Sequence, residues 1–242
     1  MPGSESGGVG NFWYSFDYGL AHFVALDCET DIAFSPEWPF IRDNPSGQPT
    51  EKQTFVTDSG PFGAIDGGNW RDNSAHEQIQ WLQKDLAAVD RSKTPWVIVM
   101  SHRPMYSSGV SSYQKNVRAA FEAILLQYKV DIYLSGHIHW YERLLPLGAN
   151  GVIDTGSIVD KNTYYTGTGN SLTHITNGMA GNIESHSTLS SSKPILNITA
   201  VLDQVNYGFS TLTFHDAQKA IWQFIKGDGS GYGDQLTLVR KG

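Results

Sequence analysis

The spacing of apolar residues in the middle of the chain alternates between a helical and an extended pattern. Between residues 76 and 90 the apolar positions follow the three- and four-residue spacing of an amphipathic helix: Ile79, Leu82, Leu86 and Val89. The run WVIVM at 96–100 is continuously apolar, which is typical of a buried strand. A second helix at 117–128 and a second buried strand at 130–136 repeat this order. The pattern predicts a βαβ crossover with parallel strands.

The segments before and after this region have a different character. Aromatic and β-branched residues dominate 12–26, which predicts one or two strands with a turn at Tyr18 and Gly19. Residues 31–75 and 148–193 are rich in Gly, Ser, Asn and Pro or Thr, and the first stretch is too long for an ordinary connection. Three later apolar segments predict strands of a second, more antiparallel sheet, at 195–202, 207–215 and 219–225.

Composition and charge limit the class of partner. The 242 residues are 40% hydrophobic, enough to bury a large core, and their 17 basic and 24 acidic residues give a formal charge of -7. Such a chain has no positive field for nucleic acid or anionic lipid, so neither is expected as a partner. No apolar run approaches the length of a membrane span, so no membrane association is expected. Cys28 is the sole cysteine, which excludes an internal disulfide and a thiolate zinc site.

Histidines follow both predicted buried strands directly. His102 comes immediately after the first strand and before Pro104, where the chain must leave the sheet, and His137 and His139 follow the second. Ligands of open α/β sheets bind in the crevice beyond the carboxyl ends of the strands. A single histidine at a strand end more often forms a structural hydrogen bond, but two such strand ends together favour a metal site.

The spacing of these histidines gives a geometric expectation. In an extended chain, residues i and i+2 project to the same side, so His137 and His139 are expected to face one point. Neighbouring parallel strands lie about 4.8 Å apart, which would bring His102 to the same crevice. Gly136 is expected to allow a close backbone approach or an unusual dihedral angle.

Two short motifs also carry a family resemblance. VMSH at 99–102 and GHIH at 136–139, the latter followed by WYER at 140–143, resemble the last two metal motifs of the purple acid phosphatases, which are two-metal phosphoesterases. Four further segments resemble the plant and fungal long forms of that family in the same order: NFWYSFDYGLAHFVAL, IQWLQKDLAAVDRSKTPWVIVMSHRPMYSS, HITNGMAGNIE and YGFSTLTFHD. Residues 31–75 and 148–170 resemble the family least.

This resemblance implies a fold, an activity and a ligand set. The fold class is α/β, a two-sheet βαβ metallophosphoesterase sandwich flanked by helices, in which residues 1–242 form the carboxyl-terminal half of a single domain. The activity implied is that of an acid phosphatase, which acts on phosphomonoesters and releases inorganic phosphate. His102 and His137 would bind the divalent ion, Zn, Fe or Mn(II), and His139 the Fe(III) ion of a dinuclear metal centre.

The family completes its site with earlier motifs, GDxG, GDxxY and GNH[ED], that do not occur in this sequence. Gly-Asp is found only at 227–228 and 233–234, far too late in the chain. Three imidazoles alone cannot neutralise or bridge two ions. We therefore expect this chain to be one part of a cleaved precursor, still bound to an amino-terminal fragment that carries the other ligands, with a cloned fragment of a longer protein as the alternative. The resemblance also implies a secreted protein (extracellular, cell wall or vacuolar). In a secreted protein, the sequon Asn197-Ile198-Thr199 would make Asn197 a glycosylation site.

Tyr106, Glu184 and His186 are further candidates for substrate binding, each with a purely structural role as the alternative. Glu142 and Arg143 are expected to form a structural ion pair or a cap beneath the histidine loop. Two other functions stay open: a phosphodiesterase or nucleotide pyrophosphatase with the same metal site, and a non-catalytic metal-binding fragment. Relative rates of hydrolysis of a phosphomonoester and a phosphodiester would distinguish the first of these from an acid phosphatase. A companion chain that carries the GDxG and GDxxY motifs would exclude the second.

Overall fold

A computed structural model describes residues 5–8, 12–29, 77–109, 114–181 and 185–241. Its helices are α1 (Glu77–Ala88) and α2 (Gln114–Gln127). Its strands are β1 (Tyr14–Tyr18), β2 (Ala21–Leu26), β3 (Trp96–Ser101), β4 (Ile132–Ser135), β5 (Tyr141–Leu144), β6 (Ile158–Asp160), β7 (Thr163–Thr166), β8 (Thr173–Asn177), β9 (Thr199–Asp203), β10 (Gly208–Phe214), β11 (Lys219–Lys226) and β12 (Tyr232–Arg240). The predicted segment 31–75 lies outside the described residues.

The strands form two sheets. The first has the order β1-β2-β3-β4-β8-β5-β9, and within it β2, β3, β4 and β8 run parallel. The pairing of β3 with β4 across α2 confirms the predicted βαβ crossover. The second sheet has the order β10-β11-β12-β7-β6 and is antiparallel except where β12 meets β7.

Alternating side chains of the first sheet face two different layers. Val97 and Val99 of β3 pack into the cluster that contains Leu82 of α1 and Phe121 of α2. Trp96 and Ile98 point the other way, into a cluster completed by the second sheet: Trp222, Phe224, Leu236 and Leu238. Each such fully buried side chain contributes about 1.5–3 kcal/mol. The result is the expected two-sheet α/β sandwich, with both described helices on one outer face.

The prediction of the second sheet was partly wrong. Strand β9 pairs with β5 at the edge of the first sheet instead. Strand β8 lies between β4 and β5, in the segment 148–193 for which the sequence predicted no strand. Thr176 of this strand has a local partner, since its Oγ1 lies 2.9 Å from Ser135 Oγ of β4, whereas neither ring nitrogen of the buried His174 has a hydrogen-bond partner among the described residues. Within the described residues, no helix is both long and apolar enough to cross a membrane.

A buried ion pair joins the two sheets. Arg143 of β5 donates from Nε and Nη2 to the Asp234 carboxylate of β12, at 2.5 and 2.9 Å. The Tyr141 hydroxyl donates to the same carboxylate at 2.8 Å, and Arg143 Nη1 also donates to Tyr164 Oη of β7 at 2.6 Å. The expected ion pair between Glu142 and Arg143 is therefore wrong, because adjacent residues of a strand face opposite sides of the sheet.

A histidine at the other edge of the first sheet is held by two carboxylates. His22 Nδ1 of β2 lies 2.7 Å from Asp17 Oδ1, and its Nε2 lies 2.9 Å from Asp85 Oδ2 of α1. Ser15 Oγ donates to the other Asp85 oxygen at 2.5 Å. Burial lowers the pKa of His22, but hydrogen bonds and charge from Asp85 and Asp17 outweigh it, so the pKa is raised above its usual value of 6.5.

The replacement Asp234→Ala should lower the free energy of unfolding by about 3–5 kcal/mol, because it leaves the Arg143 guanidinium buried without its carboxylate. Urea unfolding measures this loss. Asp228→Ala removes an exposed carboxylate from the neighbouring turn and should cost no more than about 1 kcal/mol. Equal losses in the two variants would show that the ion pair does not hold the sheets together.

The replacement His22→Gln should cost more stability at pH 5 than at pH 8. Because the pKa of His22 is raised in the folded state, the stability that His22 contributes is fully present at pH values below its pKa in the unfolded chain. This stability is lost as the pH rises through its pKa in the folded protein. Unfolding curves at the two pH values test this, with exposed His215→Gln as the matched control. A loss of stability in His22→Gln that did not change with pH would contradict the pairing of a protonated His22 with Asp17 and Asp85.

Candidate metal centre

Two of the predicted histidines meet at the carboxyl ends of adjacent parallel strands. His102 follows β3 and His137 follows β4, and these strands pair in register from Ile98 with Ile132 onward. The Gly136 N–H donates to the His102 carbonyl at 2.9 Å, which extends the pairing beyond the strand ends. His102 Nε2 then lies 3.0 Å from His137 Nδ1, with ring centroids 4.9 Å apart.

The turn that carries His137 and His139 is not extended. Ile138 N–H donates to the Gly136 carbonyl at 2.7 Å, and Trp140 N–H to the Ile138 carbonyl at 2.8 Å. His137 has φ 62°, a left-handed conformation that costs about 1–3 kcal/mol in a residue other than glycine. The expectation for Gly136 was wrong, because the unusual dihedral falls on His137, and a Cβ at 136 would meet only the His102 carbonyl oxygen at 3.8 Å.

His139 is oriented by the segment that follows β8. Its Nδ1 donates to the Ser185 carbonyl at 3.2 Å. Its backbone N–H donates to Ser187 Oγ at 3.0 Å, and the Ser187 N–H donates to the His139 carbonyl at 2.9 Å. A ring that donates from Nδ1 carries its lone pair on Nε2, so Nε2 is the ligand atom that this arrangement prepares. The i, i+2 argument for His137 and His139 was therefore wrong in its premise, since these contacts and the turn orient His139.

Arg103 and Glu29 belong to the same cluster, and sequence reasoning missed both. Arg103 Nη1 lies 3.1 Å from His137 Nε2, and Arg103 Nε donates to Glu29 Oε1 at 2.7 Å. The same Glu29 oxygen lies 4.0 Å from His102 Nε2. Glu29 follows β2, the parallel neighbour of β3, so the rule for strand ends that selected His102 could also have found it.

The cluster favours the neutral form of His137. Burial is the largest cause and lowers the pKa of His137 to about 4, with further lowering by the charges of Arg103, His102 and His139. Neutral imidazole is the form that binds a metal ion. An uncharged donor is thus prepared at the carboxyl end of β4.

The two ring nitrogens are close enough to approach one ion. Two imidazole nitrogens at about 2.1 Å from one tetrahedral ion are about 3.4 Å apart. His102 Nε2 and His137 Nδ1 are 3.0 Å apart, the length of a direct hydrogen bond, so a shared ion would require the rings to separate by roughly 0.4 Å. Imidazole suits zinc and iron, among other ions. In the described ranges, however, no group of three or more His, Cys, Asp or Glu side chains is arranged to hold a metal ion.

Comparison with known families decides the identity of this arrangement. Residues 17–141, more than half of the chain, match the family model of the calcineurin-like phosphoesterases. The chain belongs to the calcineurin-like phosphoesterase family. Residues 171–235 match the model described as iron/zinc purple acid phosphatase-like protein C. The resemblance to the purple acid phosphatases is thereby confirmed, and that family implies a dinuclear metal centre.

Individual relatives agree with this assignment. The chain is 63% identical over 242 residues to an acid phosphatase of Aspergillus ficuum, and this alignment covers 99% of this chain and 39% of that protein. It is 41% identical over 166 residues to a phosphate-repressible acid phosphatase of Aspergillus niger, covering 65% of this chain and 37% of that protein. The structure of a purple acid phosphatase from yellow lupin (Lupinus luteus) seeds matches with a TM-score of 0.65 and 26% identity, covering 95% of this chain and 33% of that one. The chain thus spans about two fifths or less of these relatives.

The other candidates of this calcineurin-like phosphoesterase chain lie in varied settings. Tyr106 is buried, its hydroxyl donates to Glu122, and its ring meets His174 edge-on at 5.3 Å, which favours the structural alternative. The His186 ring lies 4.1 Å from that of Tyr207, and its Nδ1 lies 3.2 Å from Met179 Sδ. Glu184 lies outside the described residues.

Asn197 is exposed in the turn before β9, so the predicted glycosylation site faces solvent. The hydroxyl of Thr199, the third residue of the same sequon, points inward and donates to Glu142 Oε1 at 2.7 Å. An exposed asparagine at a surface turn is compatible with an attached glycan. Glycosylation itself stays a prediction.

Proposed function

We propose that the protein containing this chain is an acid phosphatase that hydrolyses phosphomonoesters at a dinuclear metal centre. The observation that supports this most directly is the 3.0 Å approach of His102 Nε2 to His137 Nδ1 at two adjacent strand ends. The relatives named acid phosphatase and purple acid phosphatase support the same activity.

Each histidine would have a defined role in that centre. His102 and His137 would bind the divalent ion, Zn, Fe or Mn(II), and His139 the Fe(III) ion. Such a centre supplies Lewis acidity and stabilises charge on the phosphoryl oxygens. The chain's own residues fix two of the ligands: the Gly136 N–H donates to the His102 carbonyl, and the Ser185 carbonyl holds the Nδ1 proton of His139.

The remaining ligands would come from an amino-terminal fragment of the same precursor. The described residues arrange no set of three or more metal-binding side chains, and this chain covers only 39% of the Aspergillus ficuum relative and 37% of the Aspergillus niger relative. In the proposal, the assembled protein is secreted (extracellular, cell wall or vacuolar), and Asn197 carries a glycan. Its small-molecule partners are a phosphomonoester substrate and inorganic phosphate.

The replacement His137→Ala should reduce the metal content of the purified protein from about two ions to about one, because it removes a donor from the divalent site. Elemental analysis counts the ions. Phosphatase activity should fall with the metal, whereas exposed His215→Ala should keep both ions. A His137→Ala protein that retained both ions would refute the ligand assignment.

The native protein should consist of two polypeptides. On denaturation, mass spectrometry should show two species, one with the mass of this chain and one with the mass of a companion polypeptide. The native complex should contain about two metal ions, iron among them. Treatment with a reductant alone should not separate them, since Cys28 is buried. A single polypeptide of this length without stoichiometric metal would mean that the chain is a non-catalytic fragment.

A further inference from the structure

Glu142 is a buried carboxylate between the two segments that carry the candidate ligands. It lies in β5, three residues after His139, and only 1% of its surface is exposed. Its side chain points away from Arg143 and the second sheet, toward the segment that follows His102. A carboxylate so deeply buried is costly unless donors surround it.

Donors from two other segments surround this carboxylate. Ser107 Oγ donates to Oε2 at 2.6 Å, and the Ser108 N–H donates to Oε1 and Oε2 at 3.0 and 3.2 Å. Thr199 Oγ1 donates to Oε1 at 2.7 Å. Ser108 Oγ in turn lies 2.9 Å from Thr199 Oγ1, which closes the network. Hydrogen bonds to an ionised acceptor are about twice as strong as neutral ones.

The segment from His102 to Gly109 is therefore fastened at both ends. Near His102, the Tyr133 hydroxyl donates to the Arg103 carbonyl at 2.7 Å. In the middle, Arg118 Nη1 donates to the Met105 carbonyl at 2.7 Å. Glu142 provides the attachment at Ser107 and Ser108, and it lies in the strand that begins directly after the turn with the other two histidines.

Glu142 cannot move independently of those histidines. Strand β5 pairs with β8 on one side and with β9 on the other, with Glu142 opposite Thr176 and Leu202. The turn that carries His137 and His139 leads directly into β5. One rigid strand thus connects the His137–His139 turn to the segment that follows His102.

From this geometry we infer that Glu142 is a positioning residue: it holds the segment 102–109 against the His137–His139 turn, preserves the separation that the β3–β4 pairing gives His102 and His137, and thereby raises the affinity of the metal centre. The inference rests on the proposed function. Glu142 is not a catalytic residue, because its oxygens are occupied by donors of the protein. Its effect acts through the segment 102–109.

The test compares Glu142→Gln with Asp131→Asn in the full protein as purified with its metal. Glu142→Gln keeps the size of the side chain but puts an amide N–H₂ where only donors are present. Asp131 is also fully buried and accepts from the Val97 N–H at 2.9 Å and from Thr166 Oγ1 at 3.1 Å. It also forms ion pairs with Arg91 at 3.3 Å and Arg240 at 3.7 Å, so its replacement should cost at least as much stability as that of Glu142. It lies at the amino-terminal ends of β3 and β4, away from the candidate ligands at their carboxyl ends.

Two quantities are measured for each variant: the melting temperature, and the dissociation constant of the metal by competition with a chelator. Glu142→Gln should raise that dissociation constant by about tenfold, in the range seen when partners of metal ligands are removed. Excess divalent metal should then restore much of the lost phosphatase activity. Asp131→Asn should lower the melting temperature but leave the dissociation constant within about twofold of the wild-type value.

The possible outcomes separate this inference from the proposed function. A Glu142→Gln protein with a lowered melting temperature but unchanged metal affinity would overturn the positioning role and leave the phosphatase proposal intact. The same would follow if Asp131→Asn weakened metal binding equally, because the effect would then be general destabilisation. A wild-type protein that held no stoichiometric metal would overturn the proposed function and this inference with it.

Discussion

The arrangement of the site depends on the parallel, in-register pairing of β3 with β4. Parallel strands deliver their carboxyl ends to one edge of the sheet, so residues that follow the two strands start close together. The bond from the Gly136 N–H to the His102 carbonyl continues this pairing to the point where the chains diverge. Both faces of β3 are apolar and buried, with Ile98 and Val99 on opposite sides, so the backbone pairing rather than an alternation of polar and apolar residues fixes the position of His102.

Strand β5 transmits this geometry to the rest of the molecule through simple alternation. Tyr141 and Arg143 face the second sheet, where both bind Asp234, and Glu142 faces the segment after His102. The two buried carboxylates, Asp234 and Glu142, thus lie on opposite sides of the same four-residue strand. Each is tolerated in the interior because several donors surround it. The His137–His139 turn is therefore attached to both layers of the sandwich within six residues of His137.

Much of the fold could be predicted from the sequence because its apolar periodicity is strong where the core is built. The two helices and β3 and β4 were found by this signal, and the histidines by their place after the strands. Strand β8 could not be found this way, since its sequence THITN is polar and its stability comes from neighbours on both sides. Strand β12 was missed as well, and its Asp234 gains a partner only once the chain folds. Contacts between residues about 90 positions apart, such as Arg143 with Asp234, leave no local pattern in the sequence.

The charges around the histidines indicate what this edge of the sheet can and cannot supply. His102, His137 and His139 offer imidazole nitrogens, which bring no negative charge, and the nearby carboxylate among the described contacts, Glu29, is paired with Arg103 through Oε1 while its buried Oε2 has no hydrogen-bond partner among the described residues. Burial and the charge of Arg103 keep His137 in its neutral, ligating form at acidic pH values at which an ordinary histidine is protonated. A centre of two cations needs anionic donors to balance and bridge it. In the proposed enzyme, this edge would therefore supply the neutral part of the ligand set, and the anionic part would approach it from the companion fragment.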